Sequence, residues 1–229
     1  MDKGRTIVLA TRNQGKIAEF KGLLKGFDIM LKGLQDFGPL PDVIEDGQTF
    51  EENAYKKARS IAGYLGLPAL ADDSGLVVEA LGGAPGIYSA RFAGEGASDE
   101  ENNLKLLKKM RDKSERKAFF QTVIVLAVPS GPALVYEGLC EGEITREPAG
   151  ESGFGYDPVF FYPPLEKTFA QMSGQEKNLV SHRGKAMAEF RNEFDKTMIW
   201  LFQRLAEEST KQRKMEICVG KSSSRKEKN

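Results

Sequence analysis

Cysteine and histidine are nearly absent from this chain. Two cysteines, Cys140 and Cys218, stand far apart among 229 residues. That spacing supplies neither a disulfide framework nor a Cys-based zinc site, and it suits a reducing compartment. Neither cysteine has a basic neighbour in sequence to activate it as a thiolate. The single histidine, His182, lies beside Arg183 and reads better as a recognition residue than as the base of a nucleophile. An excess of one charge is missing too. Lys+Arg and Asp+Glu both total 33, which argues against a surface built to hold nucleic acid nonspecifically. No apolar run is long enough to span a membrane, and the N-terminus lacks a signal-peptide core. A soluble, cytoplasmic protein is therefore expected.

What is present is 40% hydrophobic and 29% charged residues, enough for one globular domain with a sizeable core. The domain is expected over residues 1–208. Residues 209–229 form a polar, Lys/Ser-rich tail expected to be disordered. Thr6 to Ala10 reads as a buried first strand. Ile17, Phe20, Leu23 and Leu24 recur at helical spacing after it, and Asp28 to Leu34 reads as a second strand. Thr49 with Glu52, and Ser98 with Glu101, are capping-box signatures opening two helices. Leu70 to Glu79 reads as strand, turn, strand. Ala118–Val128 and Ala133–Ile144, separated by Pro129-Ser130-Gly131-Pro132, predict a long hairpin. A final helix is expected from His182 to Ala206, with Met187, Phe190, Phe194, Met198, Leu201 and Leu205 on one stripe. Helices and strands alternate early and a hairpin follows, so the fold class is α/β with a mixed sheet.

The most informative segment is Ala71-Asp72-Asp73-Ser74-Gly75-Leu76. Alternation along a strand sends Asp72 and Asp73 to opposite sides if the strand persists that far. Like charges this close call for a counter-cation, and hard oxygen ligands suit Mg²⁺. Taken alone, however, the stretch reads first as a turn whose acids cap backbone amides. Thr11-Arg12-Asn13-Gln14-Gly15-Lys16 joins a strand to a helix, where free N–H groups and the helix dipole suit phosphate. It lacks the first glycine and the final hydroxyl of a P-loop, and an ordinary turn capped by Asn13 fits it equally. Glu45 lies in an acidic loop, and Lys57 sits on the second helix beside other cations. Glycines flank Phe154 in Ser152-Gly153-Phe154-Gly155-Tyr156-Asp157, leaving an aromatic face open to a planar base, with Asp157 able to accept from ring N–H groups. Lys177 precedes Ser181-His182-Arg183, and a helix start there favours neutral His182.

Read in order, these blocks resemble the inosine/xanthosine triphosphate pyrophosphatase family. The matching stretches include residues 11–16, Thr49-Phe50-Glu51-Glu52-Asn53-Ala54, residues 71–76, Leu81 through Phe92, Thr145 through Pro148 with Gly153 through Pro158, and Ser181 through Gly184. The resemblance covers about residues 5–206. It implies an elongated two-lobed α/β fold with a central cleft, a homodimer, and Mg²⁺-dependent hydrolysis of a non-standard purine nucleoside triphosphate to monophosphate and pyrophosphate. It also implies roles. Thr11, Arg12, Asn13, Gln14, Gly15, Lys16, Lys57 and Lys177 would hold the triphosphate. Asp73 would be the general base, and Glu45 with Asp73 would place the metal. Ser74 would touch substrate, the Phe154-Gly155-Tyr156-Asp157 segment would hold the base with Phe154 stacked on it, and His182 with Arg183 would read its edge. Arg12 stands where the family often has a small residue.

Overall fold

The first strand, β1 (Thr6–Leu9), is buried at every position. It has helices on both faces, as its near-continuous apolar sequence requires. α1 (Gln14–Leu23) follows, then β2 (Met30–Gly33), α2 (Phe50–Leu65), β3 (Ala69–Val78) and α3 (Asp99–Lys109). The hairpin of β4 (Lys117–Ala127) and β5 (Ala133–Ile144) leads to short strands β6 (Phe160–Tyr162) and β7 (Lys167–Thr168). Helices α4 (Gly174–Val180), α5 (His182–Asn192) and α6 (Phe194–Lys226) end the chain. This computed structural model describes residues 5–226, with side chains described to residue 210.

The seven strands form one mixed sheet in the order β2-β1-β3-β4-β5-β6-β7. β1 pairs parallel with β2 and β3, and all later pairs are antiparallel. One core cluster packs α1, α5 and α6 on one face, through Phe20, Leu70, Ile124 and Phe190. A second packs α2 on the other face, through Ala54, Ala58, Ala69 and Val125. A third, around Leu76, Leu106, Phe120 and Phe160, fills the far end of the sheet. The cleft opens where β1 and β3 pass between these clusters.

Local signals set most boundaries. Thr49 caps α2 by accepting from the Glu52 amide, and Gly66 closes it in the left-handed region at φ 63°. Glu52 does not complete the box, because its carboxylate accepts from Gln48 N–H instead. The Ser98–Glu101 box is complete.

Two expectations need correction. Residues 70–79 are not strand, turn, strand. β3 is continuous and pairs Asp72, Asp73 and Ser74 with Ile124, Val123 and Thr122 of β4. The acids find lysine, arginine and asparagine partners from elsewhere in the fold, so no turn amides are needed to satisfy them. The final helix is two helices, separated at Glu193, whose backbone leaves helical geometry at φ −106°, ψ 18°. Asn192 before it has a side chain that competes for backbone bonds. α6 continues as helical backbone to Lys226, through a stretch without proline and rich in Lys, Glu and Arg. The Cys218 side chain and residues 227–229 lie outside what is described.

Candidate active site

The phosphate-type loop lies at the carboxyl end of β1, the usual ligand edge of an open α/β sheet. Asn13 caps α1, its Oδ1 accepting from Lys16 N–H at 3.0 Å. Thr11 Oγ1 accepts from Asn13 N–H at 3.2 Å. Lys16 Nζ reaches Asp72 Oδ2 at 3.0 Å, and burial lowers its pKa. A cleft of about 400 Å³ is lined by Thr11, Arg12, Asn13, Lys16, Glu45, Lys57, Asp73, Ser74, Phe154 to Asp157, Lys177, His182 and Arg183. The sequence blocks thus converge on one place. Gln14 and Gly15 are the exceptions: both lie outside the lining, Gln14 exposed with its amide turned back to the Arg12 carbonyl and Gly15 beneath the Phe154 ring. Arg12 stands at the rim and pairs with Asp42 and the Leu40 carbonyl, which ties down the following loop.

Asp72 and Asp73 leave β3 on opposite sides. Asp72 turns toward α1 and α5, where Lys16 and Arg183 Nη2 meet its Oδ2 at 3.0 and 2.7 Å. Burial opposes its charge, but Lys16 and Arg183 outweigh burial and hold it well below the usual carboxylate range. Asp73 turns toward α2. Its Oδ1 accepts from Lys57 Nζ at 3.0 Å and its Oδ2 from Asn53 Nδ2 at 3.2 Å. Burial pushes Asp73 up, and Lys57 and Lys16 only partly offset that. A carboxylate whose proton affinity is raised, facing a cleft, is the expected state of a general base. Lys57 also donates to Glu45 Oε2 at 2.8 Å. Burial disfavours its charge, but Asp73 and Glu45 together raise its pKa.

Arg183 is one of the most deeply buried side chains. Its Nη1 pairs with Glu19 and its Nη2 with Asp72. Against the cost of burial, those two acids keep it firmly charged. Lys177 Nζ lies 2.7 Å from the same Glu19 and 2.5 Å from Asp157 Oδ2. Glu19, on the inner turn of α1, therefore joins the two cations, and Arg183 and Lys177 hold its pKa down despite burial. A buried chain of alternating charge runs Asp157–Lys177–Glu19–Arg183–Asp72–Lys16. Ser74 adds its hydroxyl to this chain, bonding Asp72 at 2.7 Å and Thr122 at 2.6 Å.

The aromatic wall stands opposite. Phe154 N–H donates to Asp157 Oδ2 at 2.9 Å, and Lys177 Nζ sits 4.6 Å from the Phe154 ring centre. The ring lies directly against Gly15, where a Cβ would overlap it. Asp157 is pushed up by burial, with Lys177 pulling the other way. Tyr156 turns its hydroxyl to the Ser89 carbonyl at 2.8 Å, anchoring the segment. His182 stacks on Phe120 with centroids 4.6 Å apart. Burial and the neighbouring Arg183 and Lys177 hold it neutral. Its Nδ1 has no protein partner, and neither has Arg183 Nε. Gly138 of β5 lets α5 approach this closely, since a Cβ there would overlap the His182 carbonyl oxygen.

The sequence of the Ham1 family matches residues 7–193. The chain belongs to the Ham1 family. Within it, this chain is 57% identical over 202 residues to a dITP/XTP pyrophosphatase of Desulfotalea psychrophila, covering 88% of this chain and 91% of that protein. It is 58% identical over 203 residues to a dITP/XTP pyrophosphatase of Syntrophobacter fumaroxidans, covering 89% and 88%. A HAM1 protein structure from Coxiella burnetii superposes with a TM-score of 0.77 at 45% identity, over 83% of this chain and 98% of that one. The Staphylococcus aureus Ham1 protein gives 0.75 at 45% identity, over 84% and 99%.

Glu19, Asn53, Thr122 and Phe120 belong to this Ham1-family site but were not singled out by sequence. Asn53 lies inside a matching block. Glu19 follows Lys16 by three positions, which places both on one helix face. Thr122 and Phe120 reach the site only through the pairing of β4 with β3.

Proposed function

We propose that this chain hydrolyses non-standard purine nucleoside triphosphates, ITP, dITP and XTP, to the monophosphate and pyrophosphate, and so clears deaminated purines from the nucleotide pool. The observation that carries this reading is the Asp73 carboxylate, gripped at both oxygens and facing a cleft lined by lysines and Phe154. Hydrolysis of a phosphoanhydride depends mainly on positioning, charge neutralisation and an oriented water. Asp73 accepts the proton of that water. Lys16 and Lys57 neutralise phosphate oxygens, while the capped start of α1 offers backbone N–H groups. The base stacks on Phe154. Hypoxanthine and xanthine present an acceptor O6 where adenine presents an amino group. His182 and Arg183 both line the cleft and each keeps one unpartnered nitrogen, His182 Nδ1 and Arg183 Nε, with which to meet that edge.

A Mg²⁺ ion fits this donor set. Glu45 and Asp73 converge on one cation already, the Lys57 ammonium, at 2.8 and 3.0 Å. Among the described residues no group of three or more ligating side chains exists to cage an ion. Mg²⁺ is commonly held by one or two carboxylates, with substrate phosphates and water completing the shell. When bound it would supply charge neutralisation to the leaving pyrophosphate. A homodimer and a cytoplasmic location follow from the family resemblance as further parts of this reading. No helix among the described residues is long and apolar enough to cross a membrane.

The test is pyrophosphate release from ITP, XTP, GTP, ATP and dTTP, with and without Mg²⁺. Mg²⁺-dependent release from ITP and XTP, with little from the others, is the expected result. Release from a different base would overturn the pocket assignment. ITP binding without release from any nucleotide would mark a sensor.

A further inference from the structure

Asn53 is buried in the first turns of α2, 2% exposed. Lys57 follows it by four positions, so the two side chains lie one above the other on one face. Each grips a different oxygen of Asp73: Lys57 Nζ takes Oδ1 at 3.0 Å and Asn53 Nδ2 takes Oδ2 at 3.2 Å. The other end of the Asn53 amide is also used. Its Oδ1 accepts from Gly47 N–H at 2.8 Å, and the backbone packs so closely there that a Cβ on Gly47 would meet that oxygen at 2.6 Å. Gly47 is two residues beyond Glu45 in the acidic loop. The orientation of the amide is fixed by chemistry. Only Nδ2 can donate to a carboxylate, and only Oδ1 can accept from a backbone N–H.

We propose that Asn53 is a positioning residue for the reaction: one side-chain amide sets the direction of the Asp73 carboxylate and the distance between Asp73 and the loop that carries Glu45. This rests on the reading of Asp73 as the base. A carboxylate held at one oxygen can turn about its last bond; held at both, it keeps a single orientation. Because the same amide holds Gly47, a shift of the loop and a shift of the base are coupled. Asn53 is buried and does not line the cleft, so its loss is expected to act on turnover and not on nucleotide binding.

The experiment compares Asn53→Asp and Asn53→Ala with the native chain. Asn53→Asp is isosteric; it keeps an acceptor for Gly47 and turns the donor facing Asp73 into an acceptor. Asn53→Ala suits the helix and removes both bonds. The readouts are kcat and KM for ITP with excess Mg²⁺, equilibrium binding of ITP in EDTA, and Tm. Expected is a fall in kcat of about 100-fold, the scale of a small misplacement of a reacting group. KM and metal-free ITP binding should stay within about threefold, well inside that scale. Native kcat in both variants overturns the proposal. So does a parallel loss of kcat, binding and Tm, or failure of both to fold, because each marks Asn53 as merely structural. Asp73→Asn run alongside separates the two ideas: native turnover there removes Asp73 as base, whereas an inactive Asp73→Asn beside fully active Asn53 variants removes only the role of Asn53.

Discussion

Asp72 and Asp73 are adjacent in sequence yet serve opposite sides of β3, Asp72 in a pair with buried Arg183 and Asp73 between Lys57 and Asn53. Their environments push their proton affinities apart, Asp72 down and Asp73 up. Such divergence separates an acid kept charged for structure from one kept ready for proton transfer. Asp72→Asn is expected to destabilise the fold by about 3–5 kcal/mol, because it leaves the Arg183 charge buried with one partner fewer. Asp73→Asn is expected to leave stability level or slightly higher, while hydrolysis nearly vanishes and nucleotide still binds. Urea unfolding and pyrophosphate release on the two variants test the contrast. Equal stability losses would show that the two acids are not divided in this way.

Phe154→Ala should weaken ITP binding by roughly 5- to 150-fold, the equivalent of a stacking contact of about 1–3 kcal/mol. Gly15→Ala should do the same with the phenyl ring retained, since its Cβ would overlap Phe154 and drive it from its seat. Calorimetric titration of both variants is the measurement. Unchanged affinity in Phe154→Ala would remove the stacking role.

His182 is the chain's one histidine, buried and neutral. Its folded pKa is depressed, so below pH 6.5 the unfolded chain takes up a proton that the folded chain refuses. Stability is therefore complete above about pH 6.5 and declines as pH falls, by at most about 1.4 kcal/mol per pH unit. Unfolding free energies of the native chain and His182→Gln, measured from pH 7.5 to 5.5, should diverge above pH 6.5 by a constant and converge below it. Parallel curves throughout would show that His182 titrates equally in both states.

Gly138→Ala places a methyl group against the backbone of α5 at His182. Backbone cannot swing aside as a side chain can, so α5 must shift. The expected outcome is a loss of about 1–3 kcal/mol in stability and a reduced preference for ITP over ATP. Native selectivity with only a stability loss would show that the placement of α5 does not govern base choice.

The strands, the hairpin and the helix caps were legible because each is written locally. Alternation, Pro-Ser-Gly-Pro and Ser98 with Glu101 need no knowledge of distant residues. The candidate site was legible as blocks of sequence, and all but Gln14 of its non-glycine members reach the cleft. What could not be read was decided by long-range partners. Asp72-Asp73-Ser74-Gly75 has the composition of a turn, and only β4 on one edge with lysines and Arg183 around it make that stretch a strand. Arg183 looks like an exposed helix-start cation in sequence, and Glu19, 164 positions away, makes its burial tolerable.

The buried chain from Asp157 to Lys16 means that the cleft is not an empty positive socket waiting for phosphate. Lys16, Lys57, Lys177 and Arg183 each already have a carboxylate for company. A nucleotide that enters meets cations that already have partners, and because a lysine ammonium carries three donors it can take a phosphate while keeping its acid. Such a site is charge-compensated at rest, so an arriving phosphate shares cations with resident acids and does not fill a bare vacancy.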